Sequence, residues 1–186
     1  WHAGTHERNN LACTDCHKVH QRHGDPVLAK TTEPAVCLTC HKGQRADFQK
    51  PSTHPVRYGL MTCSGCHSAH GSTTQAALNK PTLNQTCYSC HAEKRGPLLW
   101  EHQPVTEDCS TCHAPHGSSN PGMVKLRGPL LCQSCHSQQG HPSLGYGPSG
   151  LPGNAAPATA LALGNCMNCH SQVHGSNHPS GSSLTR

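Results

Sequence analysis

Aromatic residues are nearly missing from this chain: one Phe, two Trp and three Tyr among 186 residues. Aliphatic side chains do not compensate, because hydrophobic residues of every kind reach only 33%. A soluble chain of this length ordinarily buries roughly 70% of its unfolded surface around a side-chain core. These residues cannot supply one, so most of the apolar interior has to come from elsewhere. Charge is also sparse, at 12% of residues, with a formal net charge of +5. There is no basic run and no row of aromatics on which bases could stack, which excludes a nucleic-acid reading. No stretch approaches 18 consecutive apolar residues, which excludes a membrane-spanning helix. Long periodic patterns are absent too, since 18 glycines and 15 prolines interrupt them. The expected fold is mostly irregular, with short α-helices and no sheet.

Unpatterned cysteine is the last absence, and it leads to what the chain does contain. All 14 cysteines fall in seven copies of Cys-x-x-Cys-His. The pairs are Cys13 and Cys16, Cys37 and Cys40, Cys63 and Cys66, Cys87 and Cys90, Cys109 and Cys112, Cys132 and Cys135, and Cys166 and Cys169. This pentapeptide attaches c-type haem: the two thiols add to the porphyrin vinyl groups, and the adjacent imidazole ligates the iron. Zinc knuckles pair four thiolates to a metal, and seven knuckles do not pair evenly. A disulfide scaffold explains an even count but not the fixed spacing. A thioredoxin-like redox motif occurs once, within a βαβ pattern. Seven covalent haems c are therefore expected, about one per 27 residues. Porphyrin faces then provide the missing interior, giving a haem-packed core, and the apoprotein should be largely disordered, as small metal-dependent domains are.

The haems also change the charge. Each ferric bis-imidazole haem with ionised propionates carries about −1 and each ferrous one about −2. The formal +5 then becomes roughly −2 oxidised and −9 reduced. Lys and Arg read best as propionate partners. Covalent haem attachment takes place outside the cytoplasm, so a chain starting at Trp1 is expected to have lost an export signal.

Successive motifs are 24, 26, 24, 22, 23 and 34 residues apart, over a longer period of two motifs. One copy runs from His54-Pro-Val through Cys63 to Cys87, the next from His102-Gln-Pro-Val through Cys109 to Cys132. The expected organisation is a single elongated multihaem domain over residues 1–186. Its two-haem units cover about 6–53, 54–101, 102–140 and 141–186, within the range of repeat architectures in which each unit touches its neighbours. The stretch 143–164, rich in Gly, Pro and Ala, reads as a surface spacer. One or two helical turns are expected at each motif, with further short helices over Ala92–Lys94 and Gln75–Leu78.

Of 18 histidines, seven are proximal ligands: His17, His41, His67, His91, His113, His136 and His170. The spares recur at fixed repeat positions. One set follows every odd motif: His20, His70, His116 and His174. Another precedes it: His6, His54, His102 and His141. These eight suffice as sixth ligands for seven irons. On a helix, positions i and i+3 share a face, so His70 cannot close the far side of the iron held by His67 and must reach another haem. The same holds for His20 and His116. His2, His23 and His178 read as surface or supporting groups, although the His-Pro step of His178 makes it a possible substitute for His174 or His141. Met61, Met123 and Met167 occupy no common repeat position, which argues against Met ligation. Two imidazoles per iron leave no open position, so the chemistry expected is electron transfer rather than catalysis.

The runs KRGPLLWEHQPVTEDCSTCHAPHGS, RGPLLCQSCHSQQGHPS, CMNCHSQVHGSNHPSG and HERNNLACTDCHKVH resemble decahaem c-type cytochromes of the MtrA/DmsE type. The likeness spans nearly the whole chain, which corresponds to the last seven of ten haems. It implies a periplasmic, outer-membrane-associated cytochrome seated partly inside an outer-membrane β-barrel porin. The partners implied are an outer-surface multihaem cytochrome or terminal reductase on one side. On the other is a periplasmic cytochrome or quinol-oxidising donor. A soluble periplasmic donor, a subunit of an extracellular cytochrome filament and, least favoured, a reductase with one open haem acting on nitrite, sulfite or a similar oxyanion are the alternative roles.

Overall fold

The computed structural model describes residues 1–18, 20, 28–136, 165–179 and 181–185, together with the backbone of 138–139 and 141–142. His23 and the 143–164 spacer lie outside the described residues, and His141 is described through its backbone alone.

Each Cys-x-x-Cys-His motif sits on a short helical segment, and odd and even motifs differ in how that segment is made. Even motifs close a helix that enters from the amino-terminal side: Glu33–Cys40, Leu83–Tyr88 and Leu130–Gln133. Thr32 and Thr82 cap the first two, their hydroxyls accepting from Ala35 N at 3.4 Å and Gln85 N at 3.1 Å. Odd motifs begin on a single turn, at Cys13–Cys16, Cys63–Gly65, Cys109–Thr111 and Cys166–Asn168. Asp108 and Asn165 cap the last two through Ser110 N and Met167 N.

Beyond the first three odd motifs the chain doubles back. His17 bridges Leu28, His67 bridges Leu78 and His113 bridges Val124, eleven residues on in every case. The Gln75–Leu78 helix expected from the sequence is instead a turn over Gln75–Ala77, with Ala76 at φ 54. That left-handed residue reverses the chain so that Leu78 reaches His67. Ala92–Lys94 forms the expected turn, as 3₁₀ helix. Named strands among the described residues are limited to Gln138–Gln139 paired with His141–Pro142, so the fold is short helices without a sheet of any extent.

The chain divides into two compact units, Trp1–Cys90 with Ala114–Met123, and His91–His113 with Val124–Arg186. The first contains the return segment after the fifth motif because Ser118 pairs with Ser52 there. In the second, Ser176 pairs with Trp100. The only buried hydrophobic side chains among the described residues are Val36, Phe48, Val56 and Leu78, and none is completely enclosed. Side chains therefore form no continuous core, as the composition requires. No helix among the described residues is long and apolar enough to cross a membrane.

Candidate haem sites

The motif geometry follows from helical closure. The N–H of His17, His41, His67, His113, His136 and His170 donates to the carbonyl of the first cysteine of its own motif, at 2.8–3.0 Å. This closure places both thiols and the imidazole around one turn, as attachment to a single porphyrin requires.

The sixth ligand is where tertiary structure adds to sequence. Five proximal imidazoles each face a second imidazole. His17 faces His70 at 5.9 Å between ring centroids, and His41 faces His6 at 6.1 Å. His67 faces His116 at 5.9 Å, His113 faces His174 at 6.0 Å, and His136 faces His102 at 6.0 Å. In four pairs the planes are within 28° of parallel, and in the pair of His6 with His41 they cross at 66°. Two imidazoles sharing one N–H···N bond would have centroids about 5.1 Å apart. Two nitrogens bound to one metal at about 2.0 Å each put the centroids about 6.2 Å apart. The observed separations match the second arrangement, so these pairs fit an iron between them.

All five pairings join expected ligands, in a register that the sequence did not specify. The His before an odd motif faces the even proximal His of its own unit: His6 with His41, and His102 with His136. The His after an odd motif faces the odd proximal His one unit earlier: His70 with His17, His116 with His67, and His174 with His113. His70 and His116 thus reach a haem other than their neighbour's, as the i,i+3 argument demands. His54 makes the same backbone bond as His6 and His102. Their Nδ1–H groups donate to the carbonyls of Pro115 (2.8 Å), Ala69 (2.9 Å) and Val173 (2.9 Å). His20 is exposed and pairs with no imidazole among the described residues. His170 donates from Nδ1 to Ser183 O at 2.5 Å. His2 bonds Glu7 at 3.0 Å, in keeping with a surface role.

Surrounding groups favour the ligating state. An imidazole must be neutral to bind metal, and burial pushes the His116 and His174 rings below the usual histidine range. Phe48 stands edge-on to His116 at 5.6 Å. The ring of His67 is oriented by a 2.8 Å bond from Nδ1 to Ala76 O, the kind of second partner that ligating imidazoles ordinarily have. The buried indole N–H of Trp100 has no acceptor among the described residues, and a propionate carboxylate is the kind of acceptor that would suit it.

Within each unit, thiols of successive motifs are neighbours. In the first, Cys37 and Cys40 act electrostatically on Cys16, the sulfurs of Cys37 and Cys63 lie within 4.8 Å of each other, and Cys90 acts on Cys66. In the second, Cys135 acts electrostatically on Cys112, and Cys166 on Cys132. Burial, reinforced by Cys166, pushes the Cys132 thiol up to about 11. The close Cys63 thiol, with burial, raises Cys37. Glu33 joins Cys37 and Cys63, with all three ligand atoms within 4.8 Å of one another. This trio could hold a bare metal ion, but both thiols belong to haem motifs and are consumed when thioethers form. The sequence alone offers no hint of Glu33 and little of the three orienting carbonyls. Only the recurrent His-Gly-Ser after odd motifs pointed toward the latter.

Short helices carrying Cys-x-x-Cys-His turns, with imidazole pairs spaced for iron, define a multihaem c-type cytochrome, a class that moves electrons through its haems. Residues 2–46, 54–96 and 102–141 match the family model described as the doubled CXXCH motif, and the chain belongs to that family. It is similar to multiheme cytochrome MtrA of Shewanella baltica (strain OS185), being 56% identical over 187 residues. That match takes in all of this chain and 56% of the relative, so the chain spans about half the length of the curated relative it matches. The resemblance read from the haem motifs and their flanks is thereby borne out, as is haem c as cofactor.

Proposed function

We propose that this chain passes electrons through successive bis-imidazole haems, and that it does so across the outer membrane from within a β-barrel porin. The observation that carries the first part is the adjacency of haem attachment points. Inside each unit, thiols of successive motifs act on one another's ionisation, and the sulfurs of Cys37 and Cys63 lie within 4.8 Å of each other. A thioether sulfur is a short link from its macrocycle, so neighbouring sulfurs bring conjugated edges close. The haem supplies the one-electron chemistry when bound. The polypeptide's task is to hold the imidazoles, exclude other ligands and set the spacing. An iron with imidazole on both faces offers no position for substrate, which supports a carrier rather than an enzyme.

The second part rests on the likeness to MtrA, and with it come periplasmic and outer-membrane-associated localisation. The proposed partners are a porin, a periplasmic cytochrome or quinol-oxidising donor, and an outer-surface cytochrome or terminal reductase. No helix among the described residues can span the bilayer, so passage needs a barrel from a partner. The test is reduction of an acceptor outside liposomes by a donor trapped inside. The expected result is no transfer with the holoprotein alone and transfer once it is assembled with its barrel. Equal transfer in both cases would refute the sheath, and no transfer in either would favour a soluble periplasmic donor.

A further inference from the structure

The three carbonyls that orient His6, His54 and His102 each belong to the residue just before a second axial imidazole. Ala69 precedes His70, Pro115 precedes His116, and Val173 precedes His174. A glycine follows each of these histidines, with φ of 129 at Gly71, 149 at Gly117 and 122 at Gly175. The arrangement is complete in the second unit. There His174 faces His113, while the Val173 carbonyl holds His102 against His136. One tripeptide thus presents a ligand to one haem and aims the ligand of another.

We infer that Gly175, with Gly117 as its counterpart, is a positioning residue that sets two axial imidazoles at once, coupling the ligation of two haems through one peptide segment. Both glycines are buried. At φ of 122 and 149 an L side chain is strained whatever the space. Space is missing as well. A Cβ on Gly175 would overlap the Leu98 Cδ1 atom and sit 3.1 Å from Trp100 O. On Gly117 it would overlap the Asp47 carbonyl and sit 2.8 Å from Thr53 Cγ2. At Gly117 the overlap is with backbone and must push the segment away; at Gly175 the Leu98 tip can turn aside, and the positive φ with the closeness of Trp100 O and Leu98 Cβ, at 3.1 and 3.3 Å, supplies the push. At Gly175 that also breaks the paired 2.9 Å backbone bonds between Trp100 and Ser176. Displacement withdraws the His174 ring and the Val173 carbonyl together, because they are adjacent on one rigid peptide.

The inference rests on the bis-imidazole reading, and the test separates the two. Cyanide uptake and the high-spin ferric signal are measured on oxidised holoprotein. If the native chain already shows open iron at the His113 and His136 sites, the ligation reading fails before the glycine is examined. His174→Ala and His102→Ala should each add one cyanide-binding iron to the native count. Gly175→Ala should add two, and added imidazole should close both. Gly175→Ala combined with Leu98→Ala removes the side-chain overlap but keeps the φ demand, so it should recover part of the low-spin signal. If the single variant does not accumulate, the same count is read on that double variant. No added site, or one only, overturns the proposal. So does failure of both glycine variants to accumulate while the His102→Ala, His174→Ala protein does, since Gly175 would then hold more than these two ligands.

Discussion

Replacing Glu33 by Gln should raise the reduction potentials of the haems attached at Cys37 and Cys63, and of those two alone. The carboxylate accepts from Ser64 N at 2.7 Å and Ser64 Oγ at 2.6 Å, and its oxygen lies within 4.8 Å of both sulfurs. Gln is nearly isosteric, and the Ser64 hydroxyl can turn to accept from the new amide, so the change removes charge and leaves shape. A negative charge stabilises ferric over ferrous iron, and its removal therefore favours reduction. At roughly 10 Å from each iron, one unit charge is worth about 1.7 kcal/mol at an effective dielectric of 20 and about 0.4 kcal/mol in water. With a tenfold change equal to about 1.4 kcal/mol or 59 mV for one electron, these limits are about 70 mV and about 20 mV. Glu33 is only partly buried, so the expected shift is a few tens of millivolts upward. Other even motifs have Leu83 and Gly128 at this position, which confines the effect to one junction. Spectroelectrochemical titration of the native and variant holoproteins is the assay. An unchanged titration curve, or a downward shift, would refute this placement of the carboxylate against the haem edges.

Intact-mass measurement should find seven haems on the chain, and the mass of the bare polypeptide would end the haem reading. His102→Ala should open one iron without releasing its haem, since the thioethers remain, whereas His2→Ala should leave every centre as it was; equal effects would remove the distinction between repeat-linked and surface histidines. Phe48 is buried against His116, and Phe48→Ala should cost about 3 kcal/mol in denaturant unfolding of the holoprotein. A loss below about 0.5 kcal/mol would show that the ring packs on nothing that matters. The haem-free chain should lack cooperative thermal unfolding by circular dichroism, because side chains alone form no core.

Much of this architecture is legible in sequence because covalent haem attachment is local chemistry. Cys13 through His17 must lie on one turn whatever surrounds them, and the same is true of each later copy. The candidates for second ligands are legible as well, since His54 and His102, or His70 and His116, recur at the same repeat positions. Their partners are not, because pairing is tertiary. Nothing near His116 says that it faces His67 rather than a haem further along. The turn at Gln75–Ala77 is hidden for a related reason. Ala favours helix in isolation, and only the bridge from Leu78 to His67 imposes a left-handed Ala76. Glu33 looks like an ordinary first-turn acidic residue until the fold brings Ser64 and Cys63 against it. The His-Gly-Ser runs are visible in sequence, but the crowding that makes Gly117 and Gly175 obligatory comes from Asp47 and Leu98, distant in the chain.

The most direct measurement is iron anomalous diffraction from crystals of the holoprotein. An iron peak is expected midway between the rings of His17 and His70, His41 and His6, His67 and His116, His113 and His174, and His136 and His102. Irons held by these proximal histidines but closed by other residues, or left five-coordinate, would contradict the account.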